Sequence, residues 1–188
     1  MSHIVRKVLP SELIKYRTHL LALDAESRSL RFGITMNDYM INSICDGFEK
    51  DPEHHILFCI EDDNLDFVAM GHIATSDSME LAFSVLKEHQ GRGMGDALMN
   101  RCIQWCRTHG ILKGCMVCLS HNRAIRHLCT KNGIHFTTEH GETSANVELD
   151  QPGPSTYMQE ATDSSLAILD YMGKRAVLPW TFVTKLTS

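Results

Sequence analysis

The stretch Gln90-Gly91-Arg92-Gly93-Met94-Gly95 decides how this chain of 188 residues is read. Before it lies Glu80–Val85, an apolar-rich segment with strand character. After it, Leu98, Cys102, Ile103 and Cys106 recur at helical spacing between Met94 and His109. Alternating glycines let the main chain approach a ligand closely, because no Cβ intervenes. The helix that starts there directs unpaired N–H groups and the positive end of its dipole at the same spot. That combination suits a phosphate or pyrophosphate, and Arg92 adds a charge-assisted donor. Two familiar phosphate loops do not fit. A P-loop ends in Gly-Lys-Ser or Gly-Lys-Thr, whereas Gly95 is followed by Asp96-Ala97. The dinucleotide fingerprint needs a glycine three places after its second one, and those places hold Asp96 and Leu98. A tight turn with no ligand is the bland alternative.

Outward from the turn, the chain alternates strand and helix patterns. Upstream are a strand at Ile4–Leu9, a helix opened by Ser11, a short turn or helix at Glu26–Gly33, and a helix capped by Thr35. A hairpin of Ile56–Ile60 with Phe67–Ala74 follows. Downstream are a strand at Cys115–Leu119, a helix over about Asn122–Asn132 broken by Gly133, and a hairpin of Ile134–Glu139 with Ala145–Leu149 around His140-Gly141-Glu142. This order predicts an α/β (α+β) fold, a mixed and mostly antiparallel central sheet flanked by helices. Gln151-Pro152-Gly153-Pro154-Ser155 reads as a linker. It divides a domain over 1–150 from a tail over 151–188, with one helix at Tyr157–Met172 and a strand-like or loose end at Val177–Leu186.

Hydrophobic residues make up 43% and charged residues 22%, which excludes wholesale disorder and a basic nucleic-acid tail. No apolar run approaches the roughly 20 residues that span a bilayer, and residues 1–25 are broken by His3, Arg6, Lys7, Glu12, Lys15 and Arg17. The expectation is a cytoplasmic protein with neither membrane nor nucleic-acid partner, a monomer or homodimer. Seven cysteines, an odd number, argue for reduced thiols. Cys115 and Cys118 sit at an odd spacing in a strand and face opposite ways, and His54-His55 likewise, so no metal site is expected. The net charge of −5 is unevenly placed: a basic centre, Lys87 to Lys131, lies between acidic stretches at 46–66 and 139–170. That pattern suits an anionic ligand in the middle and a cationic one at the rim; solvated faces are the simpler alternative.

The segment Glu80-Leu81-Ala82-Phe83-Ser84-Val85 followed by Gln90-Gly91-Arg92-Gly93-Met94-Gly95 resembles the acetyl-CoA signature of the GNAT superfamily of N-acetyltransferases. The order of elements over about four fifths of the chain is similar too. The Glu-x-Ala-Phe-x-Val pattern and Ser27-Arg28-Ser29-Leu30-Arg31-Phe32 resemble the bacterial Pat-type protein lysine acetyltransferases most closely. The resemblance implies acetyl transfer from acetyl-CoA, as co-substrate and without metal, to an amine acceptor such as a protein lysine or a polyamine-like molecule. It implies that Gly91, Arg92, Gly93, Met94, Gly95 and Asp96 hold the pyrophosphate through the turn amides. Phe83 and Val85 would pair with the pantetheine arm by their main chains, and Asn122 would lie near it; as a plain helix N-cap, Asn122 is equally accounted for. Glu80 stands where Pat-type enzymes keep a catalytic glutamate, and shares a strand face with the small residues Ala82 and Ser84. An amine of reference pKa about 10.4 attacks only when neutral, so a general base is needed. Many members carry a tyrosine acid in the helix after the asparagine; here that position holds Cys129, for which a packed core thiol is the simpler role. A non-catalytic acyl-CoA-binding or sensing module on the same fold is the alternative.

Overall fold

The computed structural model describes residues 3–76, 78–139 and 142–186. Seven strands form one sheet: β1 (Arg6–Lys7), β2 (His55–Glu61), β3 (Phe67–Ala74), β4 (Met79–Val85), β5 (Lys113–Leu119), β6 (His135–Glu139) and β7 (Glu142–Glu148). Their spatial order is β1-β2-β3-β4-β5-β7-β6. The β4–β5 pairing is parallel and the other five are antiparallel, as the sequence predicts. Six helices flank the sheet: α1 (Leu13–Ala22), α2 (Ala25–Phe32), α3 (Asp38–Lys50), α4 (Met94–Thr108), α5 (Arg123–Lys131) and α6 (Pro154–Leu186).

The two faces of the sheet follow from strand alternation. Ile56, Phe58, Ile73, Leu81 and Phe83 point to α4, where they pack on Leu98, Met99, Cys102 and Trp105. Leu57, Cys59 and Met70 point to the opposite face and pack on Tyr16, Leu20, Ile41 and Cys45 of α1 and α3. The short helix α2 is held by caps. Asp24 accepts the Ser27 amide at 2.7 Å, and Gly33 closes the helix in the left-handed region at φ 75°.

Several local expectations shift. The first strand shrinks from Ile4–Leu9 to Arg6–Lys7, the two residues in ladder register with β2, after which Val8 adds one bond to the Leu57 carbonyl at 2.9 Å. Asn37 rather than Thr35 caps α3; its side chain accepts the Met40 amide. His54 lies in a single helical turn before the strand and bonds Asp51, while His55 opens β2. His140 and Gly141, the expected last turn, lie outside the described residues. The expected loose end at Val177–Leu186 is helical, continuous with Pro154. Once a helix exists, each added residue gains a hydrogen bond without a new nucleation cost, so extension wins over a lone strand. This helix lies against α4 and β1: Arg101 of α4 bonds Glu160 and Ser164, and Arg6 stacks on the Tyr171 ring at 4.5 Å. Among the described residues no helix is long and apolar enough to cross a membrane.

Candidate active site

The site begins where β4 and β5 part. They pair only at Met79 with Gly114 and Glu80 with Cys115. Gly114 is required there: a Cβ at that position would stand 2.2 Å from the Met79 carbonyl oxygen. Beyond this contact β4 runs on to Val85 without β5 beside it. On its other side, the Leu86 amide donates to the Val68 carbonyl at 3.0 Å, in register with Ser84 opposite Met70. In an antiparallel ladder the bonding pairs alternate, so Ser84 and Ala82 turn their main-chain groups to β3. Phe83 and Val85 therefore turn theirs to the open edge. One of those groups has a partner from the protein: the Gln90 side-chain amide donates to the Val85 carbonyl at 3.1 Å.

The chain then enters the glycine turn. Gly91 and Gly93 have φ of 73° and 82°, values that favour glycine, and a Cβ on either would meet nothing within 4 Å. The turn is thus open toward its surroundings. The first main-chain bond of α4 runs from Ala97 to the Gly93 carbonyl at 3.1 Å. The amides of Met94, Gly95 and Asp96 come before that pairing begins, at the positive end of a 15-residue helix. The Arg92 side chain behaves otherwise than the sequence suggests. Its guanidinium folds back to donate to the Glu88 carbonyl at 2.8 Å and lies outside the cavity wall, leaving only its main chain in the turn. Asp96 would place a negative charge beside a bound phosphate, but Lys131 of α5 pairs with it at 2.6 Å.

Turn, strand edge and α5 enclose a cavity of about 510 Å³. Phe83, Ser84 and Val85 form its floor, the turn one end, and Asn122, Ile125, Leu128 and Lys131 one wall. Ser27, Leu30 and Arg31 of α2 form the wall opposite. Asn122 does two jobs: its oxygen accepts the Ile125 amide at 3.2 Å as the cap of α5, and its nitrogen donates to the Leu30 carbonyl at 3.4 Å, tying the two walls. A second cavity of about 410 Å³ lies behind the turn between α4 and α6 and lacks the strand edge. A volume near 500 Å³ with an apolar floor and a nest of amides at one end fits a long thioester carrier ending in a diphosphate.

Glu80 stands where β4 and β5 last touch, exposed, at the foot of the split and outside the cavity wall. Cys129 lies in the core, with its Sγ 3.8 Å from the Met116 Sδ. Burial pushes its thiol up to about 11, and it is absent from the cavity wall. Cys115 and Cys118 alternate across β5 as their spacing requires.

Behind the floor lies a buried polar group whose members are too far apart in the chain for any local spacing to assemble. The His19 Nδ1–H donates to the Phe67 carbonyl at 2.8 Å, which leaves its Nε2 to accept the Ser84 hydroxyl at 2.9 Å. Burial lowers His19 to about 4, so it is neutral. Arg31 donates to His72 Nδ1 at 3.1 Å, and His72 Nε2–H donates in turn to His55 Nδ1 at 3.0 Å. Burial, with Arg31 beside it, holds His72 well below the ordinary histidine range. The acidic stretches are less free than their composition suggests. Asp46 and Glu49 hold Arg17, Glu61 holds Arg6, Glu160 holds Arg101 and Asp170 holds Lys174.

This strand–turn–helix arrangement, with a parallel pair that splays beside it, is the architecture of an acyl-CoA-using transferase fold. Residues 19–134 match the acetyltransferase (GNAT) family model, and the chain belongs to that family. Among solved structures it is similar to the GNAT domain of S. lividans PAT, at 19% identity and TM-score 0.65, covering 77% of this chain and 89% of that one. It is also similar to yncA, a putative acetyltransferase from Salmonella typhimurium with its cofactor acetyl-CoA (17% identity, TM-score 0.60, 81% and 97% covered). A third is a GNAT superfamily phosphinothricin acetyltransferase from Sinorhizobium meliloti in complex with AcCoA (13%, TM-score 0.61, 84% and 96%). At these identities the likeness is one of fold. No curated protein matches the sequence.

Proposed function

We propose that this acetyltransferase takes acetyl-CoA into the cavity between β4 and α5 and moves its acetyl group to a primary amine, with Glu80 as general base. The observation that supports it is the joining of an open amide turn at Gly91–Asp96 to an unpaired β4 edge at Phe83 and Val85 within one cavity. Main-chain N–H groups of the turn hold the diphosphate, and the Phe83 and Val85 main chains align the pantetheine arm. Acetyl-CoA supplies the activated acyl group. The residues of the chain orient the amine at the foot of the split, and the exposed Glu80 carboxylate draws off its proton through a water. Confinement of both partners in one cleft supplies much of the remaining rate.

The test is Glu80→Gln assayed by CoA thiol release against amino acids, polyamines and proteins. The expected loss is about 100-fold or more in kcat, with the thermal stabilisation by acetyl-CoA retained. Wild-type turnover across pH would remove Glu80 from the mechanism. The second reading, acyl-CoA binding without transfer, draws support from the burial of Cys129 at the position of the usual acid. It predicts retention of acetyl-CoA in equilibrium dialysis with no thiol release toward any amine.

A further inference from the structure

Six of the chain's arginines sit buried or half-buried, and five have evident acceptors. Arg6, Arg17, Arg28 and Arg101 each meet a carboxylate, and Arg107 meets the carbonyls of Asp150 and Gln151. Arg31 differs. It lines the cavity, and among the described residues no carboxylate lies within 4 Å of it. Among the described residues its hydrogen bond goes to the neutral His72 ring, at 3.1 Å, the Tyr16 hydroxyl is a second neutral neighbour, and its guanidinium rests on the Phe32 ring at 5.0 Å. A guanidinium carries five N–H donors, so these neutral neighbours leave most of its capacity unused. Half-buried at the cavity wall with no counter-ion beside it, this guanidinium is placed to receive an anionic group of a ligand. The effect of this charge is already felt: Arg31 helps depress both His19 and His72.

The position of Arg31 says which ligand this would be. Lys131 and the glycine turn stand at the diphosphate end of the cavity, while Arg31 stands on α2, above the β4 face that carries Glu80, Ala82 and Ser84. His72 is in register with Ala82, so its bond to Arg31 holds the guanidinium over the middle of that face. His72 accepts at Nδ1 because its Nε2–H is committed to His55. The imidazole chain therefore fixes the direction of Arg31 without neutralising it. Several of the carboxylates that could attract a cationic acceptor are meanwhile occupied by Arg6, Arg17, Arg101 and Lys174.

We propose that Arg31 is a carboxylate-recognition point for the acceptor, so that the acceptor is a small amino acid or a related amine that carries a carboxylate. This rests on the transferase reading above. The planar fork of arginine matches a carboxylate in two parallel bonds, which fixes the amine attached to it as well as binding it. His72 is a positioning residue: it aims Arg31 and does not touch the substrate.

The experiment compares amino acids with their own primary amides as acceptors, by initial rates of CoA thiol release. Loss of the carboxylate makes the neighbouring amine easier to deprotonate, so chemistry alone favours the amide. Wild-type protein is expected to favour the best amino acid over its amide by at least about tenfold in kcat/KM, the scale of one charge-assisted pair. In Arg31→Met that ratio is expected to fall to one or below, and in Arg31→Lys to an intermediate value. The wild-type ratio stands whether or not the variants fold. Equal or better turnover of amides by wild-type protein, turnover confined to polyamines or proteins, or an unchanged ratio in Arg31→Met would each overturn the assignment while leaving the transferase reading intact. Absence of thiol release toward every amine tested would remove the transferase reading, and the role of Arg31 with it.

Discussion

The two faces of the sheet are built on different terms. Between the sheet and α4 the buried side chains are apolar, apart from Arg101, which reaches out to α6. On the α1–α3 face five polar residues are buried: Arg6, Glu12, His19, His72 and Ser84. A core needs none of them, since apolar residues of similar volume pack as well or better. The contrast amounts to a division of labour. The α4 face anchors the strand and the helix whose junction forms the turn, and dry packing makes that anchor rigid. The α1–α3 face forms the floor and wall where an acceptor would be chosen, and there polar side chains are held at fixed angles by one another.

Three measurements would break or sharpen this contrast. The largest effect is expected at Arg6, whose side chain is 9% exposed and which bonds Glu12 and Glu61 together. Arg6→Leu leaves two buried carboxylates with only Lys15, 3.8 and 4.0 Å away, and should cost about 4 kcal/mol in denaturant unfolding; a loss below about 1 kcal/mol would mean that Lys15 or water already suffices for this cluster. Next comes Leu98→Ala in the dry face, at a fully buried position. About 3 kcal/mol should be lost through transfer and cavity terms, with no change in the amino acid to amide ratio; a changed ratio would show that the two faces are not separable. The smallest is a pH effect confined to the polar face. His19, lowered to about 4 by burial, stays neutral in the folded protein, while the unfolded chain takes up a proton below about 6.5. Stability is therefore full above that pH and falls as the pH drops toward 4. From pH 7 to 5, His19 should remove about 2 kcal/mol, with His72 acting in the same direction. His19→Gln should flatten the profile of urea midpoints; an unchanged slope would place the acid sensitivity elsewhere.

Much of the site was legible in one dimension, and for local reasons. Gly91 and Gly93 adopt positive φ, a constraint met by residue type at that very position, so it is written into the sequence. The edge formed by Phe83 and Val85 follows from strand alternation, and the cap at Asn122 from its place before a helix. Arg92 shows where such reading stops. Its charge was visible, but its side chain bonds Glu88 four residues back and not the cavity. The acidic stretches likewise looked like an open rim until their partners were seen, 29 to 59 residues away in sequence.

The order of strands and helices and the amide-rich corner suited to a diphosphate were determined by the sequence alone, because each depends on neighbours within a few residues; the thioester carrier was implied by the resemblance of the motif to a family. The tertiary structure alone decided what surrounds the position proposed for the acceptor. Arg31 meets His72 across 41 residues, and His19 meets Ser84 across 65. No spacing rule announces such meetings. They arise because antiparallel pairing sets β3 beside β4 and packs α1 and α2 over them, and only that packing leaves one guanidinium facing a cavity without an anion of its own.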